Sequence, residues 1–357
     1  MATSHRVLLT GANGYIAQHI LAQLLEAGHS VRATARSQSK IDALKKTFAK
    51  YVDTPQLDFA VVPDITAPKA FDAALASDPP FDRVLHTASP FFIRPADSSV
   101  FLEPAIKGTT EILEGIVRVA PSVKRVVLTS SFAAVRTMTS EPIRNPPKIY
   151  TNEDWNKVTL EEAQASEDPN VTYSASKKFA EKAAWDFVKE GKGNFELVAL
   201  CPPGVYGPIY DPSQFSKGKE LNQSTWIIYH MFLRPGVKST DPVPPTFLYV
   251  WVDVRDIARA HLLAMTVPEA AGKRFLTSAG DLSMQEMANY LREALPEKRD
   301  VIPIGEPEKT DKPEGWYGTE DPTVQSVLGL TYRSKEEAIK DLAPQLVGIA
   351  EREAASL

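Results

Sequence analysis

Short apolar runs alternate with longer amphipathic stretches through the first two hundred residues. The runs fall at 7–10, 31–35, 59–62, 84–86, 126–129 and 197–200, lengths that suit buried strands. Between them apolar positions recur with a helical period. Ile16, Ile20, Leu21, Leu24 and Leu25 form one stripe, which Gly28 stops as a C-terminal cap. Ile106, Ile112, Leu113, Ile116 and Val117 form another, with Pro121 just beyond it. Strands separated by helices in this rhythm predict an α/β fold, a Rossmann-type doubly wound parallel sheet covered on both faces.

After Pro208 the rhythm breaks. Proline and glycine thicken (Asp211 and Pro212, Pro235 and Gly236, Pro242 to Pro245), and the elements shorten. Helix starts are expected at Asp253 with Asp256, Ser283 with Glu286 and Ser334 with Glu337, all capping-box spacings. The chain therefore divides into a doubly wound domain at 1–204 and a smaller mixed lobe at 205–357. The apolar segment 247–252 is expected to return to the main sheet.

Bulk properties narrow the function. The chain has 357 residues, 43% hydrophobic and 24% charged, with a net charge of −5. That balance suits a soluble globular protein and leaves no basic footprint for nucleic acid. No stretch approaches the roughly twenty apolar residues that span a bilayer, and no apolar leader opens the chain. Cys201 is the sole cysteine. It cannot form an internal disulfide, it reads as a small core residue, and it fits a reducing, cytosolic setting.

The first candidate chemistry is a dinucleotide site. Gly11, Ala12, Asn13, Gly14, Tyr15 and Ile16 follow the first strand and open the first helix. Glycines there let the backbone approach a pyrophosphate, and free N–H groups at the helix start receive its charge. A tight strand–helix turn that binds nothing is the bland alternative. After the second strand an NAD enzyme carries a carboxylate for the ribose 2′-hydroxyl. This chain has Arg36 and Lys40 instead. Arg36 can stack on adenine and grip a 2′-phosphate, so the expected cofactor is NADP(H); the alternative is a solvated basic pair. Asp64 and Ile65 follow the third strand and Thr87, Ala88 and Ser89 the fourth, where loops would pass the cofactor.

The second is a proton-transfer group. Tyr173 and Lys177 stand four residues apart, one turn along the same helix face. A neighbouring ammonium favours the phenolate and is expected to make Tyr173 more acidic. Lys178 would point about 140° away from Tyr173. Ser131, at the end of the fifth strand, could hydrogen-bond a substrate carbonyl while Tyr173 delivers the proton.

These motifs, with 35–37, 62–65, 86–90, 126–131, 176–185 and 252–256, resemble the dihydroflavonol-4-reductase-like branch of the extended short-chain dehydrogenase/reductases. Within it they are most similar to the fungal NADPH-dependent methylglyoxal/isovaleraldehyde and aldehyde/carbonyl reductases. The resemblance implies a catalytic Ser131, Tyr173 and Lys177, with Arg36 and Lys40 on the adenosine phosphate and Pro202, Val205 and Ser224 near the nicotinamide. It also implies reduction of an aldehyde or ketone (keto esters, diketones and aryl ketones among them) by NADPH, with no metal, in a monomer or homodimer. A helix Asn that fixes a proton-relay water in the superfamily is here Lys107.

Aromatic residues beside these motifs, Phe91, Phe92, Phe132, Tyr206 and Trp226, are either pocket walls or core. Gly204 stands where a yeast relative has a bulky aromatic, which predicts a roomier pocket. Two other classes share the scaffold. A nucleotide-sugar epimerase or dehydratase would carry an acidic residue where Arg36 stands. A non-catalytic NADP sensor would have no use for the Tyr/Lys pair.

Overall fold

The computed structural model describes residues 4–89, 99–137, 143–310 and 312–356; Phe91 and Phe92 lie outside them. Eleven strands run through the described residues: β1 (Arg6–Thr10), β2 (Ser30–Ala35), β3 (Leu57–Val61), β4 (Arg83–His86), β5 (Arg125–Thr129), β6 (Ile149–Tyr150), β7 (Glu196–Leu200), β8 (Gly204–Tyr206), β9 (Trp251–Asp253), β10 (Arg274–Phe275) and β11 (Gly318–Thr319). Seven of them form one all-parallel sheet in the order β10-β7-β5-β4-β1-β2-β3. The six expected runs all lie in this sheet. Strand order reverses between β1 and β4, and such a switch point is where doubly wound sheets bind ligands.

Every residue of β1 is buried, because helices cover both faces. Val7 and Leu9 pack on one side with Ile20, Leu24 and Ile257, while Leu8 packs on the other with Phe71, Leu113 and Ile116. This is the period-two alternation of a strand with an apolar layer on each face. The first helix is Tyr15–Glu26, and Gly28 adopts a left-handed φ of +83° where the chain turns back. Val117 departs from its expected stripe: it is 44% exposed.

A second core lies beyond the sheet, built on Tyr206, Phe232, Trp251, Met287, Leu291 and Leu342. The segment 247–252 does not rejoin the main sheet. β9 instead pairs with β8 in a separate two-stranded unit, and β10 supplies the edge strand. Pro202 and Pro203 explain the exit, because without N–H groups the chain cannot extend the β7 ladder.

Two features fix the helix that matters most, Pro169–Lys189. Asp168 caps it by accepting the Asn170 N–H at 2.8 Å, with Pro169 at the first helical position. Deeper in, Glu181 is buried and paired with Arg274 of β10 at 2.6 Å; Ser130 and Trp185 also donate to it. A buried carboxylate satisfied on several sides ties this helix to the sheet edge.

Candidate functional site

A cleft of about 830 Å³ opens along the carboxyl edges of β1, β2 and β4, at the switch point. Gly11 turns there with φ +66°, and a Cβ on it would lie 3.0 Å from the Ala88 Cα. Only glycine lets the two loops pass so closely. The Thr10 hydroxyl locks the second loop by accepting the Thr87 and Ala88 N–H groups, each at 3.1 Å. It also bonds His86 Nδ1 at 2.9 Å. Burial drives His86 down to about 3, so its ring is neutral beneath the loop.

Gly11, Asn13, Gly14, Arg36, Asp64 and Ser89 are among the residues lining this cleft, with Ile65, Thr87 and Ala88. Asp64 accepts the Thr66 N–H at 2.8 Å and its hydroxyl at 2.7 Å, which hold its carboxyl below the usual range. The volume, the glycine passage and the guanidinium of Arg36 fit a phosphorylated dinucleotide. Lys40 lines an adjoining cavity of about 370 Å³, together with Tyr15. Ala12 is fully buried beneath the turn and Ile16 packs against the main core; their side chains line neither space. Lys219 lines the cleft as well, a cation that sequence reasoning missed. Its segment is held from afar: Glu353 accepts the Gly218 N–H at 3.0 Å, and Arg352 donates to the Pro212 and Phe215 carbonyls, each at 3.0 Å.

The proton-transfer candidates meet. Tyr173 and Ser131 line the same pocket, and Ser131 starts a short helix by accepting the Ala133 N–H at 3.1 Å. Lys177 Nζ lies 5.8 Å from the Tyr173 ring centroid and donates to Ser89 at 2.8 Å. The expected acidification is not what the surroundings give. Burial pushes the Tyr173 phenol up, and the nearby Ser131 side chain only partly opposes it. Desolvation pushes Lys177 down to about 8. In this cleft the phenol is therefore held as an acid, and the ammonium is the group poised to lose its proton near neutrality.

Beside Ser131 and Tyr173 is a pocket of about 270 Å³ with mostly apolar walls. Phe132, Gly204 and Tyr206 line it as expected from sequence, and Asn170, Phe247 and Met284 join them without having been foreseen. Trp226 does not: it stacks on His230 at 4.5 Å, and its neighbours Ser224 and Ile227 face the pocket. Ser224 thus lies with this pocket rather than the dinucleotide cleft. Val205 is buried in the main core, and Pro202 contributes its carbonyl, which accepts the Phe132 N–H at 2.8 Å. The room expected at Gly204 is filled. A Cβ there would lie 3.1 Å from the Tyr206 ring. Among the described residues no group of acidic, His and Cys side chains is placed to hold a metal ion. No described helix is long and apolar enough to cross a membrane.

Fold and cleft together define a dinucleotide-binding protein of the short-chain dehydrogenase/reductase class. The profile of the NAD dependent epimerase/dehydratase family matches residues 7–276, and the chain belongs to this family. A ketoreductase of Aspergillus niger, azaE, is 41% identical over 343 residues, covering 96% of this chain and 97% of its own. The NADPH-dependent methylglyoxal reductase GRE2 of Saccharomyces cerevisiae is 38% identical, covering 96% and 98%. The crystal structure of yeast methylglyoxal/isovaleraldehyde reductase Gre2 with NADPH superposes with a TM-score of 0.87 at 36% identity, over 97% of this chain and 99% of that one.

Proposed function

We propose that this protein is an NADPH-dependent reductase converting aldehydes and ketones to alcohols, with Tyr173 as the proton donor. The observation that carries the reading is the convergence of Tyr173 and Ser131 on the wall of one apolar pocket. NADPH bound in the cleft supplies the hydride. Ser131 and Tyr173 hydrogen-bond the carbonyl oxygen and polarise it. As the carbonyl carbon is reduced, Tyr173 gives its proton to the developing alkoxide, leaving an alcohol and oxidised cofactor. A phenol held protonated by burial is suited to that role. Lys177 holds the ribose through its ammonium and offsets the charge left on the phenolate. Arg36, with Lys40 and Lys219 near it, favours the 2′-phosphate and so NADPH over NADH.

The same arginine argues against the epimerase reading, as it stands where a carboxylate would grip an NAD ribose. A cytosolic setting belongs to this proposal too, supported by the sole cysteine being buried, as does action as a monomer or homodimer. The test follows absorbance at 340 nm with a panel of aldehydes and ketones, using NADPH and NADH in parallel. Stoichiometric NADPH consumption is expected. Tightly held NAD with no net consumption would replace this reading with an epimerase.

A further inference from the structure

A strap formed by residues 211–222 borders the cofactor cleft, and the last helix of the chain, Lys335–Ala354, holds it there. Lys219, Glu220 and Leu221 of the strap line the cleft. Among the described residues on its walls, Arg36 and Lys219 are the cations, while Lys40 faces the adjoining cavity. A phosphomonoester carries close to two negative charges at pH 7, and Arg36 supplies one positive charge. Lys219 is exposed. Glu220 beside it is occupied, accepting the Ser216 N–H at 2.9 Å and the Lys217 N–H at 3.2 Å.

The strap is tied at both ends. At its start Asp211 accepts the Thr47 hydroxyl at 2.6 Å and the Gln214 amide at 3.0 Å, which joins it to the helix Gln38–Thr47 that carries Lys40. Next to Lys219 the hold comes from Glu353. Its carboxylate accepts the Tyr229 hydroxyl and the Gly218 N–H, and these two donors keep it below the usual carboxylate range. Gly218 lies against the buried Tyr229 ring, where a Cβ would stand 2.0 Å from Cε1. Only glycine allows that approach. Arg352, adjacent to Glu353, donates to the Pro212 and Phe215 carbonyls. Two neighbouring side chains of one helix therefore fix the backbone that leads into Lys219.

We propose that Glu353 and Arg352 are positioning residues for the cofactor: by holding the strap they place Lys219 against the 2′-phosphate, so that preference for NADPH over NADH depends in part on the C-terminal helix. This rests on the cofactor reading above and names the element that serves it. A lysine on an unanchored loop loses backbone and side-chain freedom when it reaches a phosphate. On a backbone already fixed, less is lost at binding. NADH lacks the group that Lys219 would meet, so the effect falls on one cofactor.

The test measures Kd for NADPH and NADH by fluorescence titration of the full chain at fixed ionic strength. Lys219→Gln should lower the preference for NADPH about fivefold, the value of one solvent-exposed cation–phosphate pair. Glu353→Ala should lower it by a similar factor, and the double variant no further. Glu353→Gln keeps an acceptor for the Gly218 N–H and should retain the wild-type preference. If Glu353→Ala does not fold, Arg352→Ala takes its place beside Lys219→Gln. An unchanged preference in a folded variant, or losses that add in the double variant, overturns the inference and leaves the cofactor reading standing. A wild type that binds NADH as tightly as NADPH overturns both.

Discussion

Raising the pH through 8 should release the cofactor, and Lys177 is the reason. Its ammonium sits with Ser89 at 2.8 Å beside the Tyr173 ring, and desolvation has brought its pKa to about 8. If the dinucleotide binds the ammonium form, affinity tracks the protonated fraction of the free protein. That fraction is about 90% at pH 7 and about 10% at pH 9 for a group titrating at 8. The NADPH Kd should therefore rise about tenfold between pH 7 and 9.

Competing titrations lie outside this window. His86 is neutral throughout, being held near 3, and a phosphomonoester completes its second ionisation near pH ~6. Stability of the cofactor-free protein carries the opposite sign. The folded state releases this proton near 8, whereas an unfolded lysine keeps it to about 10.4, so the unfolded chain binds more protons between those values. The Lys177 contribution to stability thus rises with pH across the window while NADPH affinity falls. Titration of NADPH fluorescence from pH 6.5 to 9.5 measures the affinity limb. Lys177→Arg, charged throughout, should flatten the slope, as should the weaker-binding Lys177→Met. A wild-type slope equal to that of Lys177→Met would refute the reasoning.

Other expectations follow from the same geometry. Arg36→Ala should raise the KM for NADPH by about 10- to 100-fold, the value of a charge-assisted phosphate contact, and that for NADH by much less, since NADH loses only the adenine stack; parallel steady-state kinetics with both cofactors decide it. Arg274→Met leaves the Glu181 carboxylate buried without its ion-pair partner and should cost about 3–5 kcal/mol, read from urea unfolding. If the loss is under about 1 kcal/mol, the pair does not anchor the helix of Tyr173 as described.

The cofactor cleft was largely legible because its parts are local. Gly11, Arg36, Asp64 and Ser89 each follow a strand whose apolar run announces it, and a parallel sheet gathers strand ends at one edge. Ser131 and Tyr173 could be paired for the same reason, one ending a strand and the other on the helix beside it. The substrate pocket was not legible. Trp226 was one candidate wall, yet Gln223, Ser224 and Ile227 line the pocket while Trp226 stacks on His230, and no local signal set which side of this short helix faced inward.

Lys219 reaches the cleft on a segment that Arg352 and Glu353, more than a hundred residues later, help to hold down. The segment 247–252 had the apolar run of a sheet strand, and the prolines at 202 and 203 decided otherwise. Acidity was misjudged for a further reason. Helical spacing brings an ammonium near a phenol, but it says nothing about desolvation, and burial governs both Tyr173 and Lys177.

The most direct measurement is the turnover of Tyr173→Phe with NADPH and a saturating ketone, alongside its NADPH affinity. Loss of the hydroxyl is expected to lower kcat by at least about a hundredfold, with Kd for NADPH changed no more than a few-fold. A variant that reduces the ketone within about twofold of the wild-type rate would show that another group supplies the proton.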